Sequence, residues 1–428
     1  MSGHHRKGTA QHRLVVIGQG YVGLPVSMRA VEAGLDVVGL DLSEHRISDL
    51  AAGHSKVEDI SDGELRSALD TGRFLPSRDY ADAEDFDVAV ITVPTPLRDS
   101  VPNLAFIESA GRSLAPYIRH GSTVVLESTT YPGTTDELLV PLLEDGSGLR
   151  AGQDFHVGYS PERIDPGRKD WTFKTTPKVV SGLSDACLEK MLAFYGTIID
   201  EPVPVKGTRE AELAKLLENT FRHVNIALVN ELSVFAHQLG ADVWDAIRAA
   251  DTKPFGYMRF TPGPGVGGHC LPVDPSYLSW AVRKDLGQTF RFVELANDVN
   301  DAQPRYVVER TMELLNEDRK ALNGAKVALV GLSYKRDSSD IREAPSADVM
   351  KRLSEFGAEL SALDNWVLER SWPEGVRRLS AEADLGDQDV VIVLTDHSDV
   401  DYRALADLGV RVFDTRNVVP ASDTVSVL

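Results

Sequence analysis

Residues Arg13 to Gly18, RLVVIG, form a short apolar run that leads directly into GQGYVGLP, and this junction restricts the chain's fold more than any other stretch. Gly18, Gly20 and Gly23 stand in G-x-G-x-x-G spacing. That spacing asks for a strand, a tight turn and a helix: one glycine makes the turn, one lets a pyrophosphate approach the backbone, and one lets the helix pack closely. The helix is expected to run through Ala33 and the next strand, DVVGLD, to end on Asp41. An acid at that point either accepts hydrogen bonds from an adenine-ribose 2′-hydroxyl, favouring NAD over NADP, or caps the following helix together with Ser43.

The alternation continues. A helix is expected over Asp62 to Asp70, a strand over Asp87 to Pro94, a helix from Asn103 to Tyr117 and a strand over Thr123 to Thr129. Strands that are nearly continuous Val, Ile and Leu indicate a parallel sheet covered on both faces, with ligands beyond the strand C-termini. TVPTPL (Thr92 to Leu97) and ESTTYPG (Glu127 to Gly133) fall at those ends, and FHVGYSPERIDPG brings Glu162 and Arg163 to the same edge.

From Thr208 to Gly240 apolar residues recur at spacings of three and four with no Pro or internal Gly, so a long amphipathic helix is expected. Lys215 and Asn219 share one face of it, with Glu212 and Arg222 close by. That stripe is either a solvated polar face or, given a partner, part of a site.

A candidate partner is the loop FTPGPGVGGHCLPVDPSY, Phe260 to Tyr277, whose Gly and Pro exclude regular structure. It carries His269, Cys270 and Asp274, with Gly267 and Gly268 clearing space beside the thiol. Cys270 reads either as an approachable nucleophile or as a small buried filler. After two more helices, GAKVALVGLSYK opens a second α/β run that lacks the glycine fingerprint but concentrates Lys335, Arg336, Arg342 and Arg416 at strand ends, where such groups suit phosphates. The expected architecture is α/β: a tail over 1–12, a doubly wound Rossmann-like domain over 13–201, a central long-helix region over 202–323 and a second Rossmann-like domain over 324–428.

A formal net charge of −20 argues against a broad nucleic-acid or anionic-membrane surface. The cysteines are Cys187, read as a core residue, and Cys270, so no disulfide framework is indicated and a reducing cytoplasm fits. No apolar segment reads as a leader or a membrane span, and His4 and His5 read as tail rather than metal ligands.

With these residues laid out, the chain resembles the UDP-glucose/GDP-mannose dehydrogenase family from about Leu14 to Asn417. GQGYVGLP, TVPTPL, ESTTYPGTT, SPERIDPG, KLLENTFRHVNIALVNE, PGPGVGGHCLPVDP and GLSYKRDSSDIREAPS occur in family order. The resemblance implies oxidation of a sugar-nucleotide C6 alcohol to a carboxylate with two molecules of NAD. It implies Cys270 as the nucleophile, holding the carbon as a thiohemiacetal and then as a thioester. By the same resemblance Lys215 and Asn219 stabilise the oxyanion, Asp274 orients Lys215 or acts as a base, and Thr129 with Glu162 places the water. NAD would be held by Gly18, Gly20, Tyr21, Val22, Gly23, Asp41, Arg46, Thr92, Pro94, Thr95, Ser128 and Thr129. The UDP-sugar would meet Glu162, Arg163, Lys215, Asn219, Arg222, Gly267, Lys335 and Arg342.

In the UDP-glucose branch SPE is followed by apolar residues, Arg and a second Glu, whereas here RIDPG follows and Pro166 takes that place. This form is more similar to the UDP-N-acetylhexosamine 6-dehydrogenases, implying UDP-N-acetylglucosamine first, then UDP-N-acetylmannosamine, then UDP-glucose. The apolar stripe of the long helix exceeds what one domain edge covers, so a homodimer is expected. Two rivals are a hydroxyacid-type dehydrogenase working through Lys215 and Asn219, which needs no basic second domain, and a nucleotide sensor, which needs no thiol, Lys, Asn and Asp together.

Overall fold

The computed structural model describes residues 13–98, 101–164, 170–268, 271 and 273–428. The tail, Pro166, His269 and Cys270 lie outside the described residues. The chain packs as two compact units, Met1–Glu218 and Asn219–Leu428, with the division inside the long helix Thr208–Gln238.

The first unit runs β1 (Arg13–Ile17), α1 (Gly23–Glu32), β2 (Asp36–Leu40), α2 (Glu44–Ala51), α3 (Asp62–Asp70), β3 (Phe74–Ser77) and β4 (Val88–Ile91). A hairpin of β5 (Leu97–Arg98) and β6 (Val101–Pro102) follows, then α4 (Ala105–Leu114), β7 (Thr123–Leu126), α5 (Val140–Ser147) and β8 (His156–Tyr159). It closes with β9 (Lys178–Gly182), α6 (Asp185–Ile198), β10 (Pro202–Pro204) and the start of α7 (Thr208–Gln238).

Its eight-stranded sheet has the order β10-β9-β8-β7-β4-β1-β2-β3, parallel except between β8 and β9. Both faces are covered because both are apolar. Along β1, Leu14 and Val16 join one core with Leu24 and Val31 of α1, while Val15 and Ile17 join the other with Ile107 and Leu114 of α4. Cys187 of α6 is buried in this unit. With β2 on one side of β1 and β4 on the other, the loops beyond β1 and β4 diverge and leave the crevice such sheets use for ligands.

The second unit continues α7 and adds α8 (Val243–Asp251), α9 (Asp274–Leu286) and α10 (Arg291–Glu317). Then come β11 (Lys326–Val330), α11 (Pro345–Glu355), β12 (Glu359–Leu363), β13 (Arg377–Arg378), β14 (Val390–Val393), α12 (Tyr402–Asp407), β15 (Arg411–Asp414) and β16 (Val425–Val427). The sheet order is β13-β12-β11-β14-β15-β16, parallel throughout. The fold is thus α/β, with two Rossmann-like sheets and a helical stretch before the second.

Strands expected over Asp87–Pro94 and Thr123–Thr129 stop at Ile91 and Leu126, where the apolar run ends. The pattern of the chain does not announce β3 (FLPS) or β10 (PVP). Both are edge strands carrying proline, which removes the usual strand signal and is tolerated only at an edge.

Candidate functional site

The turn after β1 is shaped by what surrounds its glycines. Gly18 has φ +96°, and a Cβ there would lie 2.8 Å from the Thr92 carbonyl oxygen. A Cβ at Gly23 would lie 1.8 Å from the Gly18 carbonyl oxygen, whereas one at Gly20 would meet nothing within 4 Å. Gly18 and Gly23 are therefore required by packing, and Gly20 faces open space.

α1 begins with no side-chain cap and no acid in its first turn, while α2 is capped by Ser43 and α3 by the Ser61/Glu64 box. Leu24 N–H donates to the Gly20 carbonyl at 3.1 Å and Pro25 has no N–H, but no side chain closes this helix start, and the positive end of its dipole favours an anion. Tyr21 is 44% exposed, and Val22, the residue before the helix, is half-buried.

At the tip of β2, Asp41 braces the start of α2, whose N-cap is Ser43, and the turn after β1. Its Oδ2 accepts from Gln19 N–H at 2.9 Å and from Arg46 at 2.8 Å, and its Oδ1 accepts from Ser43 N–H at 2.9 Å. A carboxylate has about four acceptor sites, so Oδ1 retains capacity for a ribose hydroxyl.

The other edge loops are tied together. Thr92 Oγ1 donates to the Gly18 carbonyl at 2.8 Å, so this hydroxyl braces the glycine turn. Ser128 Oγ donates to the Val93 carbonyl at 2.8 Å, joining the loop after β7 to that after β4. Pro94 is exposed, and Thr95 and Thr129 are half-buried beside them. The donor set and the open face at Gly20 fit a dinucleotide pyrophosphate with its adenosine toward Asp41.

Glu162 stands beyond β8. Its Oε1 accepts from the N–H groups of Arg163 and Ile164, each at 2.6 Å, and its Oε2 lies 3.4 Å from Lys178 Nζ. Arg163 is paired with Glu218 at 2.7 Å. Glu212, which the helical pattern places on a polar stripe, is buried instead. Its carboxylate accepts from Gly133 N–H, Thr135 N–H and Thr135 Oγ1 at 2.6, 2.9 and 2.7 Å, and burial pushes its pKa up to about 7. Lys215, one turn on, is half-buried.

In the second unit, buried Asn219 donates to buried Asp274 at 2.5 Å, so Asp274, the first residue of α9, takes the amide of α7. Arg222 is exposed. The Pro/Gly loop is fastened to α7 through Gly263 N–H and Asn230 Oδ1, 2.9 Å apart. Gly267 and Gly268 have a nearer cause than room for a ligand. A Cβ on either would come within 2.8 Å of Tyr334, and Gly268 has φ +83°. They let the loop lie against its own protein.

The basic residues read as phosphate ligands are largely engaged. Arg342 makes a two-pronged pair with Asp340 at 2.8 and 2.6 Å, Arg336 pairs with Asp337 and Asp396, and Arg416 donates to the Leu394 carbonyl at 2.7 Å. Lys335 is half-buried in the loop after β11.

Comparison with known proteins covers both units. Residues 12–199 match the NAD binding domain of the UDP-glucose/GDP-mannose dehydrogenase family, residues 209–302 its central domain and residues 328–421 its UDP binding domain. The chain is 36% identical over 359 residues to UDP-N-acetyl-D-glucosamine 6-dehydrogenase of Pseudomonas aeruginosa, covering 83% of each chain. It is 33% identical over 386 residues to UDP-N-acetyl-D-mannosamine dehydrogenase of Pyrococcus horikoshii, covering 90% of this chain and 89% of the relative. The solved structure of UDP-D-ManNAc dehydrogenase from Pyrococcus horikoshii superimposes with a TM-score of 0.88 at 30% identity, covering 97% of this chain and 98% of that one. With all three domains matched in order, the chain belongs to the UDP-glucose/GDP-mannose dehydrogenase family of NAD-dependent nucleotide-sugar dehydrogenases.

Proposed function

We propose that this protein oxidises the C6 hydroxyl of a UDP-N-acetylhexosamine, UDP-N-acetylglucosamine first, to the uronic acid through a thioester on Cys270. The observation that carries the substrate class is that two relatives similar over most of the chain are dehydrogenases of UDP-N-acetyl sugars. UDP-N-acetylmannosamine is the second reading, favoured by the Pyrococcus relative.

NAD, when bound, supplies the hydride acceptor, and two molecules take the four electrons. The chain does the rest. The α1 N-terminus and Gly20 hold the pyrophosphate, Asp41 takes the ribose, and Thr92, Pro94, Thr95, Ser128 and Thr129 wall the crevice between β1 and β4. Cys270 adds its sulfur to the aldehyde carbon, so the intermediate stays on the enzyme between oxidations. Lys215 and Asn219 offer a cation and an amide N–H to the C6 oxygen, and Asp274 fixes the Asn219 amide by accepting its hydrogen bond. Thr129 and Glu162 place the water that attacks the thioester carbon; the C–S bond breaks and sulfur leaves as thiolate. Arg163, Arg222, Gly267, Lys335 and Arg342 are proposed for the UDP-sugar. The proposed domains are 13–201 for NAD, 202–323 central and 324–428 for the nucleotide sugar.

The test is NADH formed per UDP-N-acetylglucosamine consumed. Two per substrate, falling to a trace in Cys270→Ser, is expected. One per substrate with an indifferent variant moves the chemistry to Lys215 and Asn219. No turnover, with turnover on UDP-N-acetylmannosamine, shifts the substrate to the epimer.

We also propose a cytoplasmic homodimer. On α7, Leu217, Phe221, Leu228, Leu232 and Phe235 are exposed at helical spacing and make a stripe a second copy would cover. A monomer in sedimentation at micromolar concentration would remove this proposal.

A further inference from the structure

β9 runs antiparallel to β8, so its first residue arrives where β7 and β8 end. That residue is Lys178. In a wholly parallel sheet a lysine at a strand's start would stand at the opposite edge from the ligand crevice; here the reversal delivers an ammonium to the crevice edge.

The ammonium is closed in. The Lys178 side chain is 4% exposed, and its Nζ lies 3.1 Å from the Pro161 carbonyl, 3.4 Å from Glu127 Oε1 and 3.4 Å from Glu162 Oε2. The rings of Phe173 and Tyr195 flank it, 5.3 and 5.5 Å away. Behind it Tyr195 donates its hydroxyl to Glu127, whose Oε2 has no partner among the described residues. Burial disfavours the ammonium, but Glu127 and Glu162 outweigh it and raise the Lys178 pKa; burial raises that of Glu127 against the pull of Lys178.

Of the two acids, Glu127 is fully buried while the Glu162 side chain keeps 13% exposure. One cation therefore reaches from a sealed acid to one that meets the crevice. A buried ion pair is a poor device for stability, because apolar side chains of the same size serve as well or better. We propose that Lys178, braced by Glu127 and Tyr195, is a positioning residue for the Glu162 carboxylate. Lys178 holds Oε2 while the Arg163 and Ile164 N–H groups hold Oε1, leaving the carboxylate one orientation in which to meet the water. This rests on the reading of Glu162 as a group that places that water.

Lys178→Met alone would strand the Glu127 charge, so the variant of choice is Lys178→Met/Glu127→Gln, which removes both buried charges together. Its folding is checked by thermal unfolding and NAD binding, and Glu162→Gln is assayed beside it. The expected result is a kcat lower by about 10- to 100-fold with KM for the UDP-sugar little changed. The triple variant should be hardly slower than Glu162→Gln, because both changes disable one unit. Acyl-enzyme should accumulate on intact-mass analysis. A folded double variant at wild-type kcat, with Glu162→Gln impaired, overturns the role of Lys178 and leaves Glu162 standing. Wild-type turnover in Glu162→Gln removes both. Should the double variant not fold, Tyr195→Phe decides: a kcat loss at unchanged KM supports the brace, and unchanged kcat overturns it.

Discussion

After β1, Gly18 N–H donates to the Leu40 carbonyl at 2.7 Å and Gln19 N–H to Asp41 at 2.9 Å; after β11, Gly331 N–H donates to the Leu363 carbonyl at 3.0 Å and Leu332 N–H to Asp364 at 2.7 Å. Both glycines have positive φ, +96° and +81°, and both turns abut a threonine just beyond the neighbouring strand, Thr92 after β4 and Thr395 after β14. Then they part. The helix follows at Gly23 in the first unit and only at Pro345 in the second.

The intervening loop of the second unit also feeds a plug. His397, fully buried, sets Nε2 3.1 Å from Asp364, accepts from Asp337 N–H at Nδ1 and stacks under Trp366. The acid that is available in the first crevice is consumed in the second. One scaffold thus makes a dinucleotide cradle or a closed turn according to loop length and one side chain, and the framework alone does not say which.

The largest test of that difference is a methyl group. Gly23→Ala puts a Cβ 1.8 Å from the Gly18 carbonyl, so the turn must open, and NAD affinity should fall about 100-fold, equivalent to some 2.7 kcal/mol. Gly331→Ala meets the Thr395 carbonyl at 2.4 Å and should lower the melting temperature while leaving the NAD Kd unchanged. Fluorescence titration with NAD and calorimetry read the two; weakened NAD binding in Gly331→Ala would break the comparison.

Much of this contrast is legible in the amino-acid sequence. The fingerprint, Asp41 and the apolar strands declare the first sheet because their signals are local, and the second sheet follows from the same kind of apolar run. What stays hidden depends on partners distant along the chain. Glu212 looks like a solvated helix residue until Gly133 and Thr135 close over it. Gly267 and Gly268 look like room beside the thiol alone, yet a Cβ on either would also meet Tyr334. The cluster of Glu127, Glu162, Lys178 and Tyr195 needs a strand reversal that no periodicity announces. Arg342 and Arg416 read as groups that suit phosphates, and the acid and the carbonyl that hold them lie elsewhere in the pattern. Cys270 lies outside the described residues, and its role rests on its motif.

The two units also bury acids with opposite consequences. Glu212 is pushed up to about 7 from 4.5 by burial, so the folded state binds a proton that the unfolded chain has lost. Its cost is absent below pH 4.5, grows from 4.5 to 7 and stays constant above, reaching about 3 kcal/mol. Asp364 goes the other way: burial raises it, but His397 and the Leu332 and Val367 N–H groups outweigh that and lower it. Its contribution is present above its unfolded value of 3.8 and is lost as pH falls through the lower folded one. Urea midpoints from pH 5 to 8 should fall less steeply in Glu212→Gln than in the wild type; an unchanged slope in that variant would remove Glu212 as a cause.

A smaller effect separates the two strand-tip acids. Asp41→Asn keeps an acceptor but removes the charge that repels a 2′-phosphate, so the NAD/NADP affinity ratio should fall about tenfold. Asp364→Asn should leave that ratio alone, since His397 covers the acid. Paired titrations of both variants with NAD and NADP measure it, and a shift in Asp364→Asn would mean the second crevice also sees cofactor.

The smallest expected effect is at Arg46, whose side chain is 44% exposed while reaching Asp41 at 2.8 Å. A pair open to water at its guanidinium end is worth little, because water reaches the cation and two side chains must be ordered. Removing the guanidinium also frees an acceptor site on Asp41, which offsets part of any lost contact with the adenosine. Arg46→Ala should therefore change the NAD Kd by less than about threefold, and the change should shrink further at about 0.5 M salt. A salt-insensitive loss of tenfold or more would instead make Arg46 a direct cofactor contact. The first crevice would then be defined by a pair of opposite charges at its rim and not by Asp41 alone.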